Sequence, residues 1–81
     1  MMMSQKLRQD VSIGSTIQKL RNISGLTQEQ VVAQLEIMGC SMSRSAYSQI
    51  ELGTYNIRIS ELIALRRIFG VNYADFFSDL P

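Results

Sequence analysis

The chain has 81 residues, of which 46% are hydrophobic, and its formal net charge is only +1. This length suits a single small domain, and no apolar run approaches the ~18 residues of a membrane-spanning helix. The absence of histidine and the lone cysteine, Cys40, exclude a zinc site and an intrachain disulfide, and they favour a cytoplasmic protein.

The charges are unevenly distributed along the chain. Before Glu61 there are six Lys or Arg and four Asp or Glu, and from Glu61 onward there are two and three. A small basic excess therefore lies in the first part of the chain. It is too small to predict nucleic-acid binding without other signals.

Residues 1–11 are polar and lack periodicity, which predicts a flexible N-terminal arm and not a signal peptide. Residues 12–79 are predicted to form one domain. In its first helix, from Ser12 to Ser24, Ile13, Ile17 and Leu20 fall on one face, and Gly25 ends the helix.

The second helix is predicted from Gln28 to Met38. Thr27 and Gln30 have the spacing of a capping box at its start. Its buried face carries Val31, Leu35 and Met38, and residues 40–42 form a turn after Gly39.

The third helix is predicted over residues 44–52, with Ser43 as its N-cap and Gly53 as its terminator. Ser60 is the expected cap of a fourth helix, whose buried stripe is Leu62, Leu65, Ile68 and Phe69. Asn72 is the expected cap of a last helix from Tyr73 to Asp79. Five helices with short connections predict an all-α domain, with a helix-turn-helix at helices two and three.

The third helix has two different faces. Tyr47 and Ile50 are expected to point inward. The opposite stripe carries one arginine, one glutamine and two hydroxyls, namely Arg44, Ser45, Ser48 and Gln49. Such side chains suit hydrogen bonds to base edges, although a solvated polar face is the alternative.

In the order and lengths of its predicted helices, the sequence resembles the Cro/CI-type (XRE family), or lambda-repressor-like, DNA-binding domains. The resemblance rests on IGSTIQKLR, GLTQEQVV, SRSAYSQIELG and ISELIALRRIFGVNYADFF, which span roughly residues 12 to 78. It implies a compact five-helix domain that binds specific double-stranded DNA sequences as a transcriptional regulator. We expect this regulator to be a repressor.

The resemblance also implies roles for single residues. Base contacts fall to the recognition-helix side chains Arg44, Ser45, Ser48 and Gln49. Phosphate contacts fall to Thr27, Gln28, Ser43, Tyr55, Asn56 and Arg58, of which the last three have simple exposure as the alternative. Arg21 and Glu51 match a family ion pair that positions the recognition helix.

Members of the family commonly bind as homodimers, and two half-sites about 34 Å apart would match a palindromic operator. Among Tyr73, Phe76 and Phe77, core packing is expected for most, with a contribution to the dimer surface as the alternative. Lys6 and Arg8 in the arm are weaker candidates for phosphate or minor-groove contacts.

Two features depart from the family pattern. The join from Leu35 to Ser43 is long, so either the second helix is extended or the loop bulges. Val32 occupies a position where the family prefers alanine, and its larger side chain is expected to separate the helices slightly.

Two other classes of function are alternatives to DNA binding. A helical protein-interaction module, such as an antitoxin or an anti-repressor-like partner with the same fold, is the main alternative. An enzyme is not expected, because the sequence has no histidine, no metal-ligand cluster and no glycine-rich phosphate loop. We accordingly expect no cofactor and no metal.

Overall fold

Five helices follow one another along residues 13–78, the part of the chain that the computed structural model describes: α1 (Gly14–Ile23), α2 (Gln28–Ile37), α3 (Arg44–Leu52), α4 (Ile59–Phe69) and α5 (Tyr73–Phe76). The predicted five-helix architecture is confirmed. The predicted arm, with Lys6 and Arg8, and the predicted helix end at Asp79 lie outside the described residues. In the described part, no helix is long and apolar enough to cross a membrane.

The core takes at least one apolar side chain from every helix. Fully buried members include Ile17, Leu35, Tyr47, Leu65 and Phe76. Each buried side chain of this size contributes about 1.5–3 kcal/mol to the free energy of unfolding. The short helices therefore depend on each other's packing and not on their own propensity.

Side-chain caps fix where the two helices of the helix-turn-helix begin. The Thr27 hydroxyl accepts from the Gln30 amide at 3.1 Å, and the Gln30 side chain accepts from the Thr27 amide at 2.8 Å. This confirms the predicted capping box. The Ser43 hydroxyl accepts from the Ala46 amide at 3.0 Å, which confirms Ser43 as the N-cap of α3.

The long join between α2 and α3 consists of residues 38–43. Gly39 is left-handed, with φ +85°, and the Cys40 amide donates to the Leu35 carbonyl at 2.8 Å. This hydrogen bond is typical of a Schellman motif, which stops a helix. The sequence left open whether α2 is extended or the loop bulges. In the structure α2 continues only two residues beyond Leu35, so most of the extra length lies in the loop.

The predicted position of Met38 on the buried face was wrong. Met38 is the C-cap of α2, and 39% of its surface is exposed. Because the Schellman motif turns the chain at Gly39, the helical period that put Met38 on that face no longer applies.

The predicted start of α4 was also wrong. The helix begins at Ile59, and Ser60 lies inside it. The Glu61 carboxylate accepts from the Arg58 amide at 2.8 Å, which makes Arg58 the N-cap residue and starts the helix before Ser60.

The aromatic residues of α5 correct a third expectation. Phe76 is fully buried, but Tyr73 and Phe77 are 43% and 42% exposed. Tyr73 is the first residue of this four-residue helix and Phe77 is its C-cap, and Phe76 is its only buried residue. Core packing for most of the three was therefore the wrong prediction.

The backbones of α1 and α3 meet at Gly14. A Cβ atom at this position would lie 2.5 Å from the carbonyl oxygens of both Ile50 and Glu51. Backbone atoms cannot move aside as a flexible side chain does. The first turn of α1 can therefore reach the last turn of α3 only with glycine at this position.

A buried carboxylate joins three helices behind α3. Glu51 receives hydrogen bonds from Arg21 Nε (2.6 Å) and Nη2 (3.2 Å), from the Tyr47 hydroxyl (2.6 Å) and from Gln28 Nε2 (2.9 Å). The side chains of Arg21 and Glu51 are only 12% and 3% exposed. Arg21 also donates to the Leu26 carbonyl at 3.0 Å. The structure thus brings Arg21 and Glu51 together as a buried ion pair.

The surroundings of Glu51 shift three pKa values. Burial raises the pKa of Glu51, but the hydrogen bonds from Arg21, Tyr47 and Gln28 outweigh burial and leave the pKa below its ordinary value. The hydrogen bond to Glu51 raises the pKa of Arg21. Burial and then the same carboxylate raise the pKa of Tyr47.

We expect Glu51→Gln to lower the free energy of unfolding by about 3 kcal/mol at neutral pH, since it leaves Arg21 buried without its counter-ion. The folded-state pKa lies below the unfolded value of about 4.3, so the contribution is complete above that pH and is lost as the pH falls through the folded pKa. In urea denaturation, the difference in free energy of unfolding between wild type and variant should therefore become smaller below about pH 4.3. The exposed Glu36→Gln is the matched control, and a gap that does not change with pH would contradict the charge argument.

We expect Gly14→Ala to destabilise the domain, although alanine is intrinsically favoured over glycine in a helix by about 1 kcal/mol. The new methyl group must separate the α1 and α3 backbones, at a net cost of about 1–3 kcal/mol. Thermal denaturation of this variant and of Ser15→Ala, an exposed position in the same turn, measures the effect. If the Gly14→Ala protein melts at a higher temperature than wild type, the α1 and α3 backbones can separate without loss of stability, and the prediction is wrong.

Candidate nucleic-acid interface

The outer face of α3 carries the four side chains singled out from the sequence. Arg44, Ser45 and Gln49 are exposed and Ser48 is half-buried, whereas Tyr47 and Ile50 are buried on the opposite side, as predicted. The four line one open groove together with Gln28 and Leu52. The structure therefore brings the predicted base-reading residues together, and it adds the first residue of α2 to them.

A second groove lies where α1 turns into α2. It is lined by Arg21, Asn22, residues 25–29 and Arg44. The start of α2 opens into this groove, and the first amides of a helix, with the positive end of its dipole, favour an anion such as phosphate. Gln28 and Arg44 border both grooves, so the surface is continuous from the start of α2 to the outer face of α3.

The predicted phosphate-contacting residues of this region have structural partners as well. The Thr27 hydroxyl oxygen caps α2, and the Ser43 hydroxyl oxygen caps α3. Gln28 donates one amide N–H to Glu51. Because an amide nitrogen carries two hydrogens, the second N–H of Gln28 can still donate to a phosphate.

The loop after α3 holds the other three predicted phosphate-contacting residues. Asn56 and Arg58 are exposed, but neither lines the two grooves. Tyr55 is half-buried, and its hydroxyl donates to Glu61 at 3.0 Å. Burial, and next this hydrogen bond, raise the pKa of Tyr55. The three residues are thus not equivalent, and Tyr55 is directed toward the domain.

Three residues of this surface escaped the sequence prediction. Glu61, 7% exposed, accepts from the Arg58 amide and from Tyr55, so it shapes the loop after α3. Asn22 is exposed in the last turn of α1 and faces the second groove. Glu29 lies 3.5 Å from Arg44, measured from Oε2 to Nε. A glutamate three residues after Arg58 was an available capping signal for Glu61, whereas Asn22 and Glu29 had no signal in the sequence.

The charge of the surface is mixed and modest. Arg44 is opposed by Glu29, and the charge of Arg21 is opposed by Glu51. Among residues 13–78, no group of three or more His, Cys, Asp or Glu side chains could hold a metal ion. What the surface offers chemically is a set of hydrogen-bond donors and acceptors with a shallow, open shape.

Comparison with known proteins agrees with this geometry. Residues 14–79 match the model of a family described as helix-turn-helix domain. No curated protein sequence is significantly similar to the chain.

Among solved structures, the chain is similar to the restriction-modification controller protein C.AhdI from Aeromonas hydrophila. The TM-score is 0.69 at 22% sequence identity, over 80% of this chain and 91% of that one. This likeness shows a shared fold. Because the family model covers most of the sequence, from α1 to beyond α5, the chain belongs to the helix-turn-helix domain family.

Proposed function

We propose that this protein is a DNA-binding transcriptional regulator, which binds a specific operator as a repressor with α3 in the major groove. The observation that carries the proposal is the continuous surface on which Gln28 joins Arg44, Ser45, Ser48 and Gln49. Arginine can donate two hydrogen bonds to guanine, and glutamine can pair with adenine in both directions. The two serines can donate or accept.

In the same proposal, the start of α2 binds the phosphate backbone. Thr27, Gln28 and Glu29, at the start of α2, line the second groove. Ser43 adds a hydroxyl at the start of α3, and Asn56 and Arg58 offer exposed polar groups from the loop after it. Tyr55 contributes least, because its hydroxyl is bonded to Glu61.

We further propose that two copies bind a palindromic operator in the cytoplasm, since one module of this size contacts few base pairs. The half-exposed rings of Tyr73 and Phe77 offer apolar area for such a contact. Regulation in this proposal comes from occupancy of DNA and not from catalysis. Membership of the helix-turn-helix family and the open polar face favour this function over the antitoxin or anti-repressor-like alternative.

We expect the protein to bind duplex DNA of random sequence weakly, with an affinity that falls at least about tenfold between about 50 mM and about 200 mM salt. The reason is that each phosphate neutralised by the protein releases counter-ions. Electrophoretic mobility shift at several salt concentrations measures this dependence. Absence of binding at the lowest salt would favour the protein-interaction alternative.

Gln49→Ala and Gln28→Ala should affect binding in different ways. Loss of a base contact at Gln49 should cost about 1–3 kcal/mol on the selected operator and relax the preference at one base pair. Loss of Gln28 should weaken binding to all sequences by a similar factor, because a phosphate contact carries no sequence information. Selection of bound duplexes from a random pool, for each variant, compares the two.

The exposed Gln34→Ala on α2 is the matched control for both variants. Since Gln28 also donates to Glu51, the Gln28→Ala protein should be compared at a temperature where circular dichroism shows it folded. A changed base preference in Gln28→Ala would contradict the proposed separation of phosphate and base contacts.

A further inference from the structure

Glu29 lies on the proposed DNA-binding surface, although its charge is unfavourable for DNA. Its carboxylate oxygen Oε2 is 3.5 Å from Arg44 Nε, and the two side chains are 65% and 62% exposed. Glu29 stands in the first turn of α2, where the helix amides would attract phosphate. A carboxylate there repels phosphate and also pairs with the arginine that is expected to contact a base.

Arg44 lies between the two grooves of the proposed surface. Arg44 borders the groove at the start of α2, where Glu29 also lies, and it borders the groove along α3, which Glu29 does not line. The guanidinium thus stands between a region suited to phosphate and a region suited to bases. Glu29, its partner in the unbound protein, lines only the groove suited to phosphate.

The two kinds of DNA contact respond differently to Glu29. In a non-specific complex, attraction to phosphates depends on net charge, and Glu29 cancels the charge of Arg44. In an operator complex, guanine offers two neutral acceptors to the guanidinium, and these do not repel Glu29. An exposed ion pair is weak, so the guanidinium can leave it for a two-acceptor partner.

We propose that Glu29 is a specificity-determining residue, which lowers the affinity for DNA of any sequence more than the affinity for the operator by pairing with Arg44. This inference rests on the proposed function, because it takes Arg44 as a base-contacting residue.

The experiment compares wild type with Glu29→Gln, Arg44→Gln, the double variant and Glu36→Gln. Glu36 is an exposed glutamate near the other end of α2, so its substitution makes the same change of net charge away from Arg44. Fluorescence anisotropy follows binding to two labelled duplexes of equal length. One has random sequence, and the other is selected from a random pool by the wild-type protein.

We expect Glu29→Gln to raise the affinity for the random duplex about fivefold and to steepen the slope of log K against log salt by up to about 0.9, the value for one further phosphate. Affinity for the selected duplex should change less than about twofold, so the ratio of the two affinities falls. Glu36→Gln should change both affinities equally and by less. In the Arg44→Gln background, Glu29→Gln should have no more effect than Glu36→Gln.

Three results would overturn the inference. Equal gains on both duplexes would mean that Glu29 acts through net charge alone. A gain that persists in the Arg44→Gln background would mean that Glu29 does not act through Arg44, and no gain on the random duplex would mean that the ion pair has no effect on binding.

The proposed function fails separately. If wild type selects no sequence, or if Arg44→Gln leaves the affinity ratio unchanged, base contact by Arg44 is wrong and this inference falls with it. If Arg44→Gln lowers the ratio while Glu29→Gln does not, the proposed function stands and only the role of Glu29 is lost.

Discussion

The Glu51 carboxylate is the interaction on which the rest of the structure depends. Its two oxygens accept four hydrogen bonds, from Arg21 on α1, Gln28 on α2 and Tyr47 on α3 itself. The start of α2 and the outer face of α3 are thereby held in a fixed relation. A buried ion pair often adds little to stability compared with apolar residues of similar volume. Its use here is orientation, since hydrogen bonds have directions that apolar contacts lack.

The backbone of the last turn of α3, which contains Glu51, is also contacted by the first turn of α1. Gly14 lets the first turn of α1 contact the carbonyl groups of Ile50 and Glu51 directly. The side chain of Glu51 is bonded to Arg21 further along α1. Two contacts from one helix, at positions seven residues apart, fix both the distance and the rotation of α3. The proposed contact of α3 with base edges would require this precise placement, because a small displacement of α3 would break several hydrogen bonds at once.

Local signals explain which parts of the fold could be predicted from the sequence. Hydroxyl caps at Thr27 and Ser43 and the left-handed Gly53 act within one helical turn, so the bounds of α3 and the start of α2 followed from adjacent residues. Ser60 failed as a cap because the helix starts earlier, at Ile59, where the neighbouring Glu61 accepts from the amide of the N-cap residue Arg58. The two capping patterns overlap in the sequence, and only the path of the loop decides between them.

Apart from the Arg21–Glu51 pair, which the family resemblance implied, features set by packing between distant segments could not be predicted. Gly14 has no local sign of its role, which depends on the α3 carbonyl groups that it meets. The pairing of Glu29 with Arg44 depends on how α2 and α3 cross. The stripe on α3 was visible in the sequence because a single helix determines it. Its extension to Gln28 follows from the bond to Glu51, which only the folded chain brings within reach.

The low net charge, which argued against DNA binding at first, has a physical account in this arrangement. Of the two arginines that line the grooves, Arg21 is paired with Glu51 and Arg44 is opposed by Glu29. Attraction to any phosphate backbone grows with exposed positive charge, whereas discrimination among bases depends on hydrogen-bond geometry. A surface that neutralises its own arginines and presents amides and hydroxyls therefore gives up general affinity and keeps its means of discrimination. In the proposed dimer, two such modules on one operator would recover the lost affinity, because the second would bind at the effective concentration set by the first. Low charge and dimeric binding would then complement each other, with sequence and not charge deciding where the protein binds.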